Sequence, residues 1–182
     1  MKRGQAPTAG LAQACLAIGV TGHRRLADEA RVAAKIDAAL DDIVKQAAGE
    51  GSEGDAPAPR LCVVSPLAEG ADRLVARRVL AREGAALEAV LPMDEVDYSA
   101  DFKTEASRLE FRDLLARARA VHWMSRAASR EEAYAAAGRY VVDHCDVLIA
   151  VWDGRPANGP GGTADIVAYA RSRSRRLFLI EP

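Results

Sequence analysis

Short apolar runs alternate along this chain with longer segments in which apolar residues recur at helical spacing. We predict that the runs are strands, at Leu16–Thr21, Leu61–Ser65, Ala86–Leu91, Ala120–Met124, Asp146–Trp152 and Arg176–Ile180. We predict that the longer segments are helices, at Asp28–Ala48, Glu69–Glu83, Ser99–Arg119, Ser129–His144 and Thr163–Ser172. Strands that are apolar throughout are typical of a parallel sheet covered on both faces. The pattern therefore predicts an α/β three-layer sandwich with a mostly parallel sheet of about six strands and helices on both faces.

The length of the chain fits one such unit. The sequence has 182 residues, enough for a single domain with a sizeable core. We assign this domain to residues 15–182 and predict that residues 1–14 form a loose N-terminal arm. Gly49–Arg60 is rich in Gly, Pro and acidic residues, which indicates a loop.

Overall charge favours no charged macromolecule as a partner. The formal net charge is −1, and the hydrophobic and charged fractions of 49% and 28% are ordinary for a globular protein. On this ground we expect a small-molecule ligand, with neither a nucleic acid nor a membrane as partner. No apolar run has the length needed to cross a bilayer.

The number and spacing of the cysteines indicate the cellular compartment of the protein. Cys15, Cys62 and Cys145 are odd in number and form no C-x-x-C pair, and two of them lie in or beside apolar runs. This usage is typical of free thiols in a reducing compartment, so we expect a cytoplasmic protein.

The strongest candidate site follows the predicted strand Asp146–Trp152. The segment Asp153–Asp165 contains glycines at 159, 161 and 162 and leads into a helix that starts at Thr163. Ligands of open parallel sheets bind beyond the carboxyl ends of the strands, and the free N–H groups of a helix start suit a phosphate. Asp153, Gly161, Gly162, Thr163 and Asp165 are therefore candidate ligand-binding residues. The alternative is a Gly-Pro turn that only connects strand to helix; the P-loop and dinucleotide fingerprints are both absent.

A second candidate segment follows the first strand. In Thr21-Gly22-His23-Arg24, Gly22 permits a tight turn, and the side chains of His23 and Arg24 are suited to a phosphate or a base. The alternative is a histidine in an ordinary surface loop.

A third candidate segment follows the second strand and runs from Ser65 to Arg73. Gly70 lies at the helix start, Glu69 and Asp72 are possible acceptors for a ribose hydroxyl, and Arg73 is a possible phosphate ligand. The alternative is a helix with acids in its first turn and a surface arginine.

Other chemistry has weaker support in the sequence. After the third strand, residues 92–98 and Phe102 suggest a wall of the same cleft, with Tyr98 either stacking on a base or forming part of a structural turn. His, Cys and acidic residues show no outstanding metal-ligand spacing, and no Ser–His–Asp arrangement is evident. We therefore predict neither a metal nor a cofactor.

Several of these segments carry a family resemblance. Cys145–Gly154, Gly161–Asp165 and Ala168–Ala170 resemble the SLOG superfamily, and Ile18–Arg24 and Ser65–Arg73 strengthen the match. That superfamily includes LOG-type phosphoribohydrolases, the DNA-processing protein DprA and sensor domains of bacterial conflict systems. The first stretch is also similar to nucleoside 2-deoxyribosyltransferases.

The resemblance implies a Rossmann-like fold that binds nucleotides or nucleotide-derived ligands, a bacterial source and a homodimer. In the hydrolases and transferases a glutamate three residues after the threonine acts at the sugar carbon of an N-glycosidic bond. Ile166 occupies that position here, and Asp165 precedes it. The phosphate-binding half of the motif is kept, and the catalytic half is altered.

These observations give one leading hypothesis and two alternatives. The leading hypothesis is a SLOG-type sensor domain that binds a nucleotide-derived ligand, with the phosphate at the Gly-Gly-Thr helix start. The first alternative is a hydrolase or transferase acting on nucleoside monophosphates, with Asp165 or Glu69 as the catalytic carboxylate. The second alternative is a non-catalytic, oligomerising scaffold.

Overall fold

The computed structural model describes residues 15–49, 58–124, 127–156 and 161–182. The strands in these ranges are β1 Cys15–Gly22, β2 Arg60–Ser65, β3 Ala86–Leu91, β4 Ala120–Trp123, β5 Val147–Val151 and β6 Arg176–Ile180. The helices are α1 Glu29–Ala48, α2 Ala71–Leu80, α3 Glu95–Ser99, α4 Glu105–Ala116, α5 Arg130–Asp143 and α6 Thr163–Ser172. The predicted arm, residues 1–14, and most of the predicted loop Gly49–Arg60 lie outside the described ranges.

The six strands form one sheet in the order β4-β3-β2-β1-β5-β6. Every adjacent pair is parallel, and β1 is paired with β2 on one side and with β5 on the other. From β1 the chain adds β2, β3 and β4 outward in one direction, and then returns to add β5 and β6 on the other side. The strand order therefore reverses between β1 and β5, and the crevice at such a point is where open α/β sheets bind ligands.

Both faces of this sheet are covered, which explains why its strands are apolar throughout. Val63 belongs to a core shared with α1, α2 and α4, whereas its neighbour Val64 belongs to a second core shared with α5 and α6. Successive residues of a strand point to opposite faces, so a strand buried on both sides must be apolar at each position. The predicted α/β three-layer, Rossmann-like architecture is confirmed.

The helix count and one helix boundary were predicted wrongly. The segment predicted as one helix over Ser99–Arg119 contains the end of α3, a break and then α4, so there are six helices in the described ranges rather than five. Each of the two helices has its own N-cap: Asp94 accepts a hydrogen bond from Asp97 N–H, and Thr104 accepts one from Ser107 N–H. Such caps favour a helix start over helix continuation, and Thr104 was overlooked as a start signal.

Helix α2 begins two residues later than predicted. Gly70 has φ +79°, in the left-handed region, so the regular helix starts only at Ala71. Among the described residues, none of the helices is both long enough and apolar enough to span a membrane.

Candidate functional site

A cleft of about 590 Å³ lies beyond the carboxyl ends of β1, β2 and β5. It covers the place where the strand order reverses. Its walls come from the loops after these three strands and from the helices α2, α3, α5 and α6. The lining residues used below are Thr21, Gly22, His23, Arg24, Ala68, Asp72, Tyr98, Tyr134, Gly138, Trp152, Asp153, Arg155, Gly161, Gly162, Thr163, Ala164 and Ile166.

Two glycines let the loops after β1 and β2 meet at the cleft. A Cβ atom on Gly22 would lie 2.5 Å from Ala71 Cβ, and one on Gly70 would lie 2.5 Å from the carbonyl oxygens of His23 and Arg24. In the observed structure Ala71 N–H donates to the His23 carbonyl at 3.0 Å. The start of α2 is therefore fixed against the end of β1, and glycine is required on both sides of the contact.

His23 links the ends of β1 and β5. Its backbone N–H donates to the Val151 carbonyl at 3.1 Å, and its Nε2 lies 3.1 Å from Asp153 Oδ1. The pKa of Asp153 is lowered, chiefly because Arg155 N–H donates to its carboxylate and also because of the adjacent His23. The Asp153 backbone N–H also donates to His23 Nε2 at 3.3 Å, so the His23 ring is held against Asp153 at the cleft edge.

Helix α6 begins at the cleft wall. Gly162 is its N-cap and supplies no side-chain cap, and Thr163 and Ala164 of its first turn line the cleft. The first N–H groups of an α-helix have no acceptor within the helix, and the positive end of the helix dipole lies there. This terminus can therefore receive an anion.

Asp165 lies outside the cleft and holds the backbone just before the start of α6. Its Oδ2 accepts a hydrogen bond from Gly161 N–H at 3.1 Å, and its side chain borders a smaller cavity formed with Arg139 and Tyr169. Gly161 has φ +78°, and a Cβ on it would lie 2.8 Å from Ala135 N of α5. Gly159, the remaining glycine of the predicted phosphate loop, lies outside the described residues.

Ile166 is the residue three positions after Thr163, where the resemblance described above would place a glutamate. It is 3% exposed, and its side chain packs directly on Gly138 of α5. It also lines the cleft, so this part of the wall is apolar. A hydrocarbon side chain can neither transfer a proton nor stabilise a positive charge on a sugar.

Asp72 and Tyr98 are buried polar residues in the wall of the cleft. Asp72 is 6% exposed and Tyr98 is fully buried. Burial raises the pKa of Asp72 to about 7, against the opposing effects of the Ala68 N–H and of Arg24 and Arg73. Tyr98 makes T-shaped contacts with Phe102 and Phe111, and because its side chain is fully buried its ring is not available for the predicted stacking on a base.

The cleft contains two arginines and a tyrosine near its rim. The Arg24 guanidinium carbon lies 5.2 Å from the centre of the Tyr134 ring, and Tyr134 hydrogen bonds to Asp101. Arg155 is the second arginine, and its carbonyl accepts the Trp152 indole N–H at 2.8 Å. Sequence reasoning missed Tyr134 and Arg155. Arg155 lay in a loop after a strand and was open to detection, whereas Tyr134 reaches the cleft only through the packing of α5.

Arg73 lies outside the cleft and holds α2 against α4. It is 1% exposed, donates to the Leu67 carbonyl at 2.9 Å and to the Ser107 carbonyl and hydroxyl at 2.9 Å, and pairs with Glu110 at 3.1 Å. Its guanidinium carbon also lies 4.3 Å from the centre of the Phe102 ring. The structure thus places this side chain in the core rather than on the surface or against a ligand.

Two further candidate residues, Ser65 and Glu69, form hydrogen bonds around the segment that joins β2 to α2. Ser65 is fully buried, and its hydroxyl accepts Leu67 N–H at 3.0 Å and donates to the Asp72 carbonyl at 3.4 Å. Glu69 accepts a hydrogen bond from the Ser107 hydroxyl. Neither residue lines the cleft.

The structure therefore brings most, but not all, of the predicted residues together. The predicted residues that line the cleft are Thr21, Gly22, His23, Arg24, Asp72, Asp153, Gly161, Gly162 and Thr163. Those outside it are Ser65, Glu69, Gly70, Arg73 and Asp165. Within the described ranges, no group of three or more His, Cys or acidic residues is placed to hold a metal ion. All three cysteines are free, with Cys62 and Cys145 buried and Cys15 exposed.

Comparison with known proteins supports the fold and little more. No family model matches the sequence, and no curated protein matches it. Among solved structures, DNA processing protein A from Helicobacter pylori is similar, with a TM-score of 0.58 and 14% sequence identity over 90% of this chain. The chain spans 64% of the length of that protein. This likeness shows that the two proteins share a fold.

One prediction is corrected by this comparison. The low net charge led us to expect that nucleic acid is not a partner, yet the neighbour is described by its single-stranded DNA binding mode. The expectation was wrong because net charge averages over the whole surface. It does not report the local charge of a cleft, which here includes Arg24 and Arg155.

Proposed function

We propose that this domain binds a nucleotide-derived ligand in the cleft between β1 and β5 and acts as a SLOG-type sensor, with the ligand's phosphate at the start of α6. The observation that carries the proposal is that the cleft lies where the strand order reverses, with the uncapped N-terminus of α6 in its wall. The N-terminus of α6 suits an anionic group, and the position of the cleft at the strand reversal suits a ligand that has an extended neutral part as well.

Ile166 favours the sensor over the hydrolase or transferase. Two carboxylates were considered for catalysis. Asp165 accepts a hydrogen bond from Gly161 N–H outside the cleft, and Glu69 accepts one from the Ser107 hydroxyl. Neither lies in the cleft wall beside the phosphate end. Binding without turnover is consistent with these positions. The odd number of cysteines and the absence of a C-x-x-C pair in the sequence support a cytoplasmic location.

The test uses calorimetric titration with adenosine 5′-monophosphate, ribose 5-phosphate and inorganic phosphate. Thr163→Ala removes one hydroxyl, and Thr163→Pro also removes the first N–H of α6, at a position where proline suits a helix. We expect Thr163→Ala to weaken phosphate-compound binding a few-fold and Thr163→Pro to weaken it roughly tenfold or more.

Glu105→Pro is the matched control, because it places proline at the first position of α4, which does not line the cleft. Its affinity should equal that of the wild type. Absence of binding to all three compounds by the wild-type protein would reject the proposal. Equal affinity of Thr163→Pro and wild type would place the phosphate elsewhere.

Single-stranded DNA is a second candidate ligand, favoured by the similar structure of DNA processing protein A. Arg24 and Arg155 lie on the cleft and are suited to backbone phosphates. Fluorescence anisotropy with a labelled oligothymidylate at two salt concentrations tests it. Affinity that falls with salt and falls further in Arg24→Gln supports DNA binding, whereas no change in anisotropy rejects it.

A further inference from the structure

The Tyr98 hydroxyl is a buried polar group that the protein itself leaves without a partner. Tyr98 has 0% exposure, and its hydroxyl makes no hydrogen bond among the described residues. Buried hydroxyls are normally hydrogen bonded, and an unpaired one destabilises the fold. Tyr98 also lines the cleft, so the residue that carries this unpaired hydroxyl is part of the wall that a bound ligand would meet.

Asp72 is a second buried polar residue of the same cleft wall. Asp72 is 6% exposed, lines the same part of the cleft and is close enough to Tyr98 to raise the pKa of its phenol, after the larger effect of burial. The two groups do not hydrogen bond to each other. A phenol can donate and a carboxylate can accept, so the two oxygens together match a ligand edge that has an acceptor next to a donor.

Other unpartnered buried atoms do not offer such a site. Arg73 Nη2 also lacks a partner, but Arg73 does not line the cleft and its guanidinium lies over the Phe102 ring. Arg175 Nε is likewise unpartnered and lies away from the cleft. Among the described residues, Tyr98 is therefore the one that both lines the cleft and has a buried polar atom without a hydrogen-bond partner.

The distance from the phosphate end decides which part of a ligand reaches this site. Tyr98 follows β3, whereas the start of α6 follows β5, and β2 and β1 lie between these strands. Across the sheet, the ends of β3 and β5 are three strand spacings apart, which is roughly 14 Å. In a nucleoside 5′-phosphate the ribose hydroxyls lie only a few bonds from the phosphorus, whereas the hydrogen-bonding edge of the base lies at the far end of the molecule.

We propose that the Tyr98 hydroxyl and the Asp72 carboxyl form a base-recognition subsite, which takes a donor–acceptor edge of a nucleobase while the phosphate lies at the start of α6. Tyr98 donates to a ring nitrogen or carbonyl of the base, and Asp72 accepts from an adjacent N–H. The subsite rests on the proposed nucleotide-binding function and adds the part of the ligand that gives base specificity. Arg24, which acts electrostatically on both groups, keeps the charge of an ionised Asp72 balanced.

The test compares wild type with Tyr98→Phe, which removes only the hydroxyl and keeps the packed ring. Calorimetry is run with the four nucleoside 5′-monophosphates of adenine, guanine, cytosine and uracil, and with ribose 5-phosphate and inorganic phosphate. We expect Tyr98→Phe to weaken the best-bound nucleotide by about three- to tenfold and to leave ribose 5-phosphate and phosphate unchanged. Asp72→Asn, which exchanges an acceptor for a donor, should change the ranking of the four bases.

Tyr140→Phe is the matched control, because its hydroxyl bonds to His122 outside the cleft. This variant should bind every compound as the wild type does. Equal nucleotide affinity of Tyr98→Phe and wild type overturns the subsite and leaves the phosphate site intact. Equal weakening of nucleotide and ribose 5-phosphate overturns the assignment to the base. If the wild-type protein binds none of the six compounds, the proposed function fails, and the subsite fails with it.

Discussion

Gly138 of α5 and Ile166 of α6 pack so closely that a Cβ atom on the glycine would overlap Cδ1 of the isoleucine. Both residues line the cleft. The apolar side chain three residues after Thr163 is therefore part of the α5–α6 contact. Ile166 therefore both packs α6 against α5 and forms part of the cleft wall.

Gly138→Ala should destabilise the protein by about 1–3 kcal/mol, because the added methyl group overpacks the α5–α6 contact. The better helix propensity of alanine offsets only part of this cost. Urea unfolding gives the value, and Ile166→Val, which removes the Cδ1 atom, provides the comparison. In the double variant the cost of the alanine should shrink; additive free energies of unfolding would show that the two residues are not coupled.

Arg73→Lys should lower the free energy of unfolding by about 3 kcal/mol. Lysine cannot reproduce the several hydrogen bonds that the guanidinium makes to the Leu67 carbonyl, to Ser107 and to Glu110. Because Arg73 lies outside the cleft, the affinity of the folded variant for adenosine 5′-monophosphate should equal that of the wild type. The reverse result, unchanged unfolding with weakened phosphate binding, would return Arg73 to the role first predicted for it.

Asp72 should make the protein less stable as the pH rises. Burial raises its pKa from 3.8 to about 7, so between these values the folded protein keeps a proton that the unfolded chain has lost. The stabilisation is complete below about pH 4 and is lost as the pH approaches 7, at up to roughly 1.4 kcal/mol per pH unit. Urea unfolding from pH 4 to 8 should show this decline in the wild type relative to Asp72→Asn. Parallel curves for the two proteins would contradict it.

Tyr98→Phe should leave the free energy of unfolding unchanged or raise it by up to about 1 kcal/mol. The ring retains its contacts with Phe102 and Phe111, and the variant removes a buried hydroxyl that has no partner. Thermal or urea unfolding without ligand measures the effect. A loss of more than 1 kcal/mol would mean that the hydroxyl is satisfied within the free protein.

Incubation with nucleoside 5′-monophosphates should release no free base. Ile166 cannot take the part of a catalytic carboxylate, and the carboxylate of Asp165 is held by Gly161 N–H outside the cleft. Chromatography of the reaction mixture over time measures release. Free base that accumulates with wild type and disappears with Asp165→Asn would establish the hydrolase instead.

The sequence predicted the layers of the fold because the relevant signal is local. Val63 and Val64 face opposite cores, and this two-sided burial is visible in the sequence as an unbroken apolar run. The prediction failed over residues 99–119, where the Thr104 cap divides the chain into two helices. A cap depends on one side chain, and a helical pattern on either side of it hides the break.

The candidate site was predicted only in part. The segments after β1 and β5 were found because their glycines and Thr163 follow strands in the sequence. Arg73 was misplaced because a charged residue in a helix is usually exposed, whereas its partners Ser107 and Glu110 come from α4, more than thirty residues along the chain. Tyr134 carried no local signal at all.

By itself, the sequence determined that this protein has a parallel sheet buried on both faces and a glycine-rich helix start after β5. Both features follow from residue order over a few positions, through strand alternation and the freedom of glycine. The tertiary structure alone decided that β5 lies beside β1, that Arg73 is a core residue, and that Tyr98 lines the cleft with its buried hydroxyl unpaired. These depend on contacts between segments far apart in the chain, and the periodicity of a sequence does not record which segments pair.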